Sequence, residues 1–71
     1  MEKTYCVKFI RRDGANPPVE MYYFNDHEDA RAQFDFFRND PDPDYPMMYD
    51  RIQLINIYGS LSTVSEEIRF H

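Results

Sequence analysis

Tyr49-Asp50-Arg51-Ile52-Gln53-Leu54-Ile55-Asn56-Ile57-Tyr58 is the stretch that decides the fold. It is the most apolar run of the chain and it is rich in β-branched residues. Ile52, Leu54 and Tyr58 share one parity. Ile55 and Ile57 share the other with Gln53. Side chains alternate between the two faces of a strand, so apolar residues on both parities predict a central strand covered on both sides.

Working outward, Gly59-Ser60 predicts a turn. Beyond it Val64, Glu66, Ile68 and Phe70 alternate with Ser65, Glu67 and Arg69, which predicts a last strand. Thr63 with Glu66 also matches a capping box, which admits a short helix over 64–70. Fewer than ten residues make a poor isolated helix, so the strand is expected.

At the other end, Thr4 to Arg11 alternates. Tyr5, Val7 and Phe9 point one way and Thr4, Cys6, Lys8 and Ile10 the other. Asp13-Gly14 and Asn16-Pro17-Pro18 supply turn chemistry. Val19 to Phe24 reads as the return strand of a hairpin. Asn25 or Asp26 suits a helix N-cap, and Asn25 with Glu28 makes a capping-box-like pair. A helix is predicted to about Arg38, with Ala30, Phe34 and Phe37 on one stripe. Residues 39–46 (Asn-Asp-Pro-Asp-Pro-Asp-Tyr-Pro) read as an acidic, extended, proline-rich loop. The expected fold is α+β in the order β-β-α-β-β: a four-stranded, mainly antiparallel sheet with one helix on one face, residues 1–71 forming a single domain.

Charge is unevenly spread. From Asp26 to Asp50, eight acids oppose Arg31 and Arg38, a net of −6. In residues 1–12, Lys3, Lys8, Arg11 and Arg12 oppose Glu2, a net of +3. The whole chain carries −5, which disfavours general binding to nucleic acid or anionic membranes. Strand aromatics such as Tyr5, Tyr22, Tyr23 and Tyr49 could stack bases, but the Gly-bearing aromatic signature of RNA-recognition sheets is absent. No apolar run reaches the length of a membrane span or signal core. Cys6 is the one cysteine, so no intramolecular disulfide can form. A reducing, cytoplasmic setting is expected, with Cys6 as a small packing residue.

The motif search excludes most chemistry. Asp40, Asp42 and Asp44 have the spacing of the first ligands of a calcium loop. The glycine and glutamate such a loop requires further on are replaced by Tyr45 and Arg51. His27-Glu28-Asp29 lacks the second histidine of a helical zinc motif, because Arg31 stands there. The remaining histidine is His71. Gly14 and Gly59 are the only glycines, too few for a phosphate-binding loop. Glu66 and Glu67 are adjacent and face opposite ways on a strand. No metal, cofactor or catalytic residue is expected.

The function expected is a non-catalytic protein-binding module, with homodimerisation through the open sheet face as a further expectation. The partner-binding residues expected are Phe36, Asp35, Asp40, Asp42, Asp44 and Tyr45. Phe36 is in this set because a helix packed on one sheet buries one stripe, and Phe36 lies off it beside Ala32. Two alternatives stand beside this reading. One is an acidic nucleic-acid mimic or inhibitor, of the phage or mobile-element accessory type, with spaced carboxylates in place of phosphates. The other is a small enzyme or ligand-binding domain with a pocket between sheet and helix.

Overall fold

The structure is a computed structural model, and it describes residues 3–39 and 42–70. Glu2, Asp40, Pro41 and His71, on which some of the expectations above fall, lie outside the described residues. The elements are β1 (Lys3–Arg11), β2 (Val19–Phe24), α1 (His27–Asn39), α2 (Tyr45–Met48), β3 (Tyr49–Tyr58) and β4 (Leu61–Arg69). All strand pairs are antiparallel, in the order β2-β1-β3-β4, and α1 packs on one face. The α+β sheet with one main helix is therefore the fold. The molecule measures 38 × 25 × 16 Å, the thickness of one helix laid on one sheet.

Register explains the sorting of side chains. Val7 stands between Tyr22 and Leu54, and Phe9 between Glu20 and Ile52. Ile52 continues to Ile68 on β4. These residues face the helix, where Val7, Phe9, Ala30, Phe34, Ile52 and Leu54 make the core. Phe34 is fully buried at its centre. Phe37 is half-buried, edge-on to Phe9 at 5.0 Å.

Local chemistry sets the ends. Asp26 is the N-cap in fact: its Oδ1 accepts from Glu28 N–H at 2.8 Å, and its carbonyl accepts from Ala30 N–H at 3.2 Å. Glu28 N–H, the donor that an Asn25 cap would take, is used by Asp26 instead. Gly14 has φ 88°, and Ala15 N–H closes the turn onto the Arg12 carbonyl at 3.1 Å. Gly59 has φ 59° at the first central position of the two-residue β3–β4 hairpin, as a type II′ turn requires.

Two expectations are corrected. Residues 45–48 are a single helical turn rather than extended chain. Asp42 Oδ1 accepts from Asp44 N–H at 2.8 Å, and the Asp44 carbonyl accepts from Met47 and Met48 N–H. Pro46, near the start of the turn, fits because the first helical N–H groups have no intrahelical acceptor. The second correction concerns β4. It is a strand, but it starts at Leu61 and its parity breaks. A bulge between Leu54 and Ile55 pairs Leu54 with Glu66 and Ile55 with Val64, leaving Ser65 as the extra residue. Val64 therefore faces away from the helix, while Glu66, Ile68 and Phe70 stay beneath it.

Candidate functional site

The face of the sheet opposite α1 carries no covering element among the described residues. Its rows follow from the register. One row runs Tyr23, Cys6, Ile55, Val64. The next, toward the β1–β2 loop, runs Met21, Lys8, Gln53, Glu67. Val19, Ile10, Arg51 and Arg69 follow, so the face grades from apolar to charged.

The apolar row is half finished as a core. Cys6 is fully buried and Ile55 is 7% exposed, shielded by their neighbours in the row. Tyr23 at its edge is 61% exposed, and Val64 at the other edge is 49% exposed. Burial pushes the Cys6 thiol above its ordinary pKa, against the smaller opposing effects of a backbone hydrogen bond at Tyr22 and the Lys8 charge. A thiol so placed stays neutral and packs as an apolar group.

The charged row is cross-linked on its β4 side. Gln53 Nε2 donates to Glu67 at 2.6 Å, and the Arg69 guanidinium donates to the same carboxylate. The Arg69 and Gln53 hydrogen bonds hold the Glu67 carboxyl below its ordinary pKa. Lys8, in the same row, has no ion-pair partner among the described residues.

Of the expected partner-binding residues, Phe36 and Tyr45 both rest against Phe37, and Asp40 lies outside the described residues. Phe36 is 54% exposed beside exposed Ala32, and it rests edge-on against Phe37 at 5.4 Å. Asp35 lies 3.5 Å from Arg31 and 3.9 Å from Arg38, so its charge is offset locally. Asp42 closes its own turn, and Asp44 is an exposed cap. Tyr45 is half-buried against Phe37 and Phe70, which gives it a packing role. Beneath the same helix, Glu66 meets both Arg31 and Arg38, and Arg38 also lies 4.9 Å over the Phe34 ring.

The sequence sorts Cys6 and Ile55 into strand parities without saying which parity the helix leaves open, and it does not single out Tyr23, Met21 or Val64. Tyr23 and Met21 could have been found by pairing the β1–β2 hairpin. The bulge that turns Val64 over leaves no mark in the sequence. Among the described residues, no group of three or more His, Cys, Asp or Glu could hold a metal ion, and no helix is long and apolar enough to cross a membrane. No protein-family model matches the chain, and no curated protein or solved structure is significantly similar to it.

Proposed function

We propose that this chain is a non-catalytic protein-binding module whose first partner is a second copy of itself, docked through the open face of the sheet. The observation that carries the reading is the Tyr23-Cys6-Ile55-Val64 row, buried at its centre and exposed at its ends.

Area supports a second copy. Four strands about 4.8 Å apart, each using about seven residues of about 3.3 Å, cover roughly 440 Å² in projection. Side-chain relief raises this, so two such faces remove about 1,000 Å² from water, the threshold of a specific interface. Two sheets at the usual spacing of about 10 Å would make a four-layer α-β-β-α sandwich. Charge supports it as well. A two-fold axis parallel to the strands sets β1 of one copy over β3 of the other. Lys8 then faces the strands that carry Gln53 and Glu67 of the second copy, an isologous pairing. Finally, Tyr23 and Val64, the exposed ends of the row, offer apolar surface that a second copy would cover, a gain for a domain too small to bury much alone.

Sedimentation tests the proposal. At micromolar concentration the chain should sediment at twice its 8.6 kDa mass. Val64→Lys, a substitution at an exposed edge position, should return the monomer with the far-UV circular dichroism unchanged. A native chain that stays monomeric at high micromolar concentration would refute the proposal, and so would a Val64→Lys variant that remains dimeric.

A further inference from the structure

A groove of about 560 Å³ opens at the end of the sheet where β1 leaves it and β3 enters. Its charged lining is Arg11, Arg12 and Arg51 with Asp13 and Asp50. Ile10 and Met47 supply apolar wall. Three arginines against two aspartates give this lining a net of +1 in a chain of net −5, a local reversal of sign.

The backbone explains the concavity. The β1–β3 register shifts between Ile10 and Arg11, so that Ile10 pairs with Arg51 and Arg11 with Tyr49. Asp50 is the extra residue, and the strands part there. The Arg12 N–H still reaches back to the Met48 carbonyl at 3.3 Å, which ties the β1–β2 loop to α2 across the gap.

The guanidiniums are under-used. Arg51 lies 3.7 Å from Asp50 and 3.9 Å from Glu67, both beyond hydrogen-bond length, and its Nε is buried with no acceptor. Arg12 spends one weak bond of 3.3 Å on the Pro46 carbonyl. Arg11 stands 3.6 Å from Glu20. A guanidinium presents five donors in a planar fork that matches an oxyanion two bonds at a time.

We propose that this groove binds a small hydroxylated phosphomonoester, of the size of a sugar phosphate. Arg12 and Arg51 take the phosphate. Asp13 and Asp50 accept hydrogen bonds from hydroxyl groups, and Ile10 and Met47 contact the carbon skeleton. The volume is well above what a bare phosphate needs, and the two carboxylates would repel a ligand that was anionic throughout. Both points favour an ester over inorganic phosphate. Ile10 and Arg51 stand in the last row of the open face, so a docked second copy would cover part of the groove, and the titration is run on the monomeric Val64→Lys variant beside the native chain to separate the two proposals.

The test is NMR titration of the native chain with glucose 6-phosphate, inorganic phosphate, glucose and citrate in turn. Saturable shifts confined to residues 10–13 and 47–51 are expected with glucose 6-phosphate at millimolar concentration. They should be weaker with phosphate and citrate and absent with glucose. Arg51→Gln and Arg12→Gln should each weaken the titration about tenfold, the scale of one lost charge-assisted bond. Arg12 is on an exposed turn, so its variant keeps the test valid if Arg51→Gln unfolds. Arg38→Gln, a remote guanidinium, should leave the titration unchanged. Three results would overturn the proposal: no saturation with glucose 6-phosphate, equal weakening by Arg38→Gln, or citrate binding as tightly as the ester. Shifts produced by duplex DNA alone would overturn it as well, by assigning the arginines to a polymer backbone.

Discussion

Truncation of the three α1 phenylalanines separates the roles of neighbouring residues of one type. Phe34 is 0% exposed among Val7, Phe9, Ile52 and Leu54, with the Arg38 guanidinium over its ring. Phe34→Ala removes a whole buried ring and should cost about 3–5 kcal/mol. A chain of 71 residues has roughly 4–10 kcal/mol of stability in all, so this variant should be marginal or unfolded at room temperature. Phe37 is half-buried on Phe9 and Tyr45, and its truncation should cost about 2–3 kcal/mol, below the fully buried range. Phe36 keeps more than half of its surface in water and loses mainly its edge contact with Phe37, so Phe36→Ala should cost about 0.5–1.5 kcal/mol. Urea unfolding followed by circular dichroism, at two protein concentrations, measures all three. Phe34→Leu serves where Phe34→Ala does not fold. A Phe36→Ala loss equal to that of Phe34→Ala, with the same denaturant slope and at both concentrations, would show that the helix presents a different stripe to the sheet.

Further expectations follow from the same geometry. Cys6 should react with a thiol reagent at pH 8 only through unfolding, so its labelling rate in urea should track the unfolded fraction; rapid labelling of the native chain would contradict its burial. Glu67 has a folded pKa below its unfolded value, so its contribution is present above the unfolded pKa and fades as pH falls through the lower folded one. Glu67→Gln should therefore flatten the acid limb of a stability–pH curve, and an unchanged limb would discount the Arg69 and Gln53 bonds. Glu66→Gln loosens both Arg31 and Arg38 and should cost about 1 kcal/mol at low salt, less at high salt. Duplex DNA should not bind measurably at physiological salt, because the eight basic residues compete with thirteen acids; micromolar, salt-sensitive binding by fluorescence anisotropy would contradict this.

Much of the fold was legible because it rests on short-range rules. The mixed parity of residues 52–57 marked a central strand, although only the face under α1 is covered among the described residues and not both as expected. The Ala30/Phe34/Phe37 spacing marked the buried stripe of α1. Both signals are periodicities that burial must obey. The features that stayed hidden depend on pairing between distant segments. Nothing local in Ser65 says that it is the extra residue of a bulge, so Val64 could be assigned to a strand but not to a face. The helical turn at 45–48 needed the Asp42 and Asp44 hydrogen bonds, which prolines on either side concealed. The candidate surface was legible in part for the same reason. Phe36 could be placed off the stripe from α1 alone, whereas Tyr23 joins Ile55 and Val64 only once three strand registers are known.

The order β2-β1-β3-β4 also sets how the chain finds its shape. Two hairpins flank a central seam, and each is made of strands adjacent in sequence. The seam between β1 and β3 is not local, since Lys8 pairs with Gln53. Joining its ends closes about forty residues of chain, against about seven for the first hairpin. Loop-closure entropy makes that roughly 1.5 kcal/mol harder. The hairpins should therefore form early and reversibly, and the rate of folding should be set by the meeting of the two halves. Phe34 packs on Val7 and Phe9 from one half and on Ile52 and Leu54 from the other. The helix is thus the clasp of the folding nucleus, and the β3–β4 turn at Gly59-Ser60, local and two residues long, closes at little entropic cost beside it.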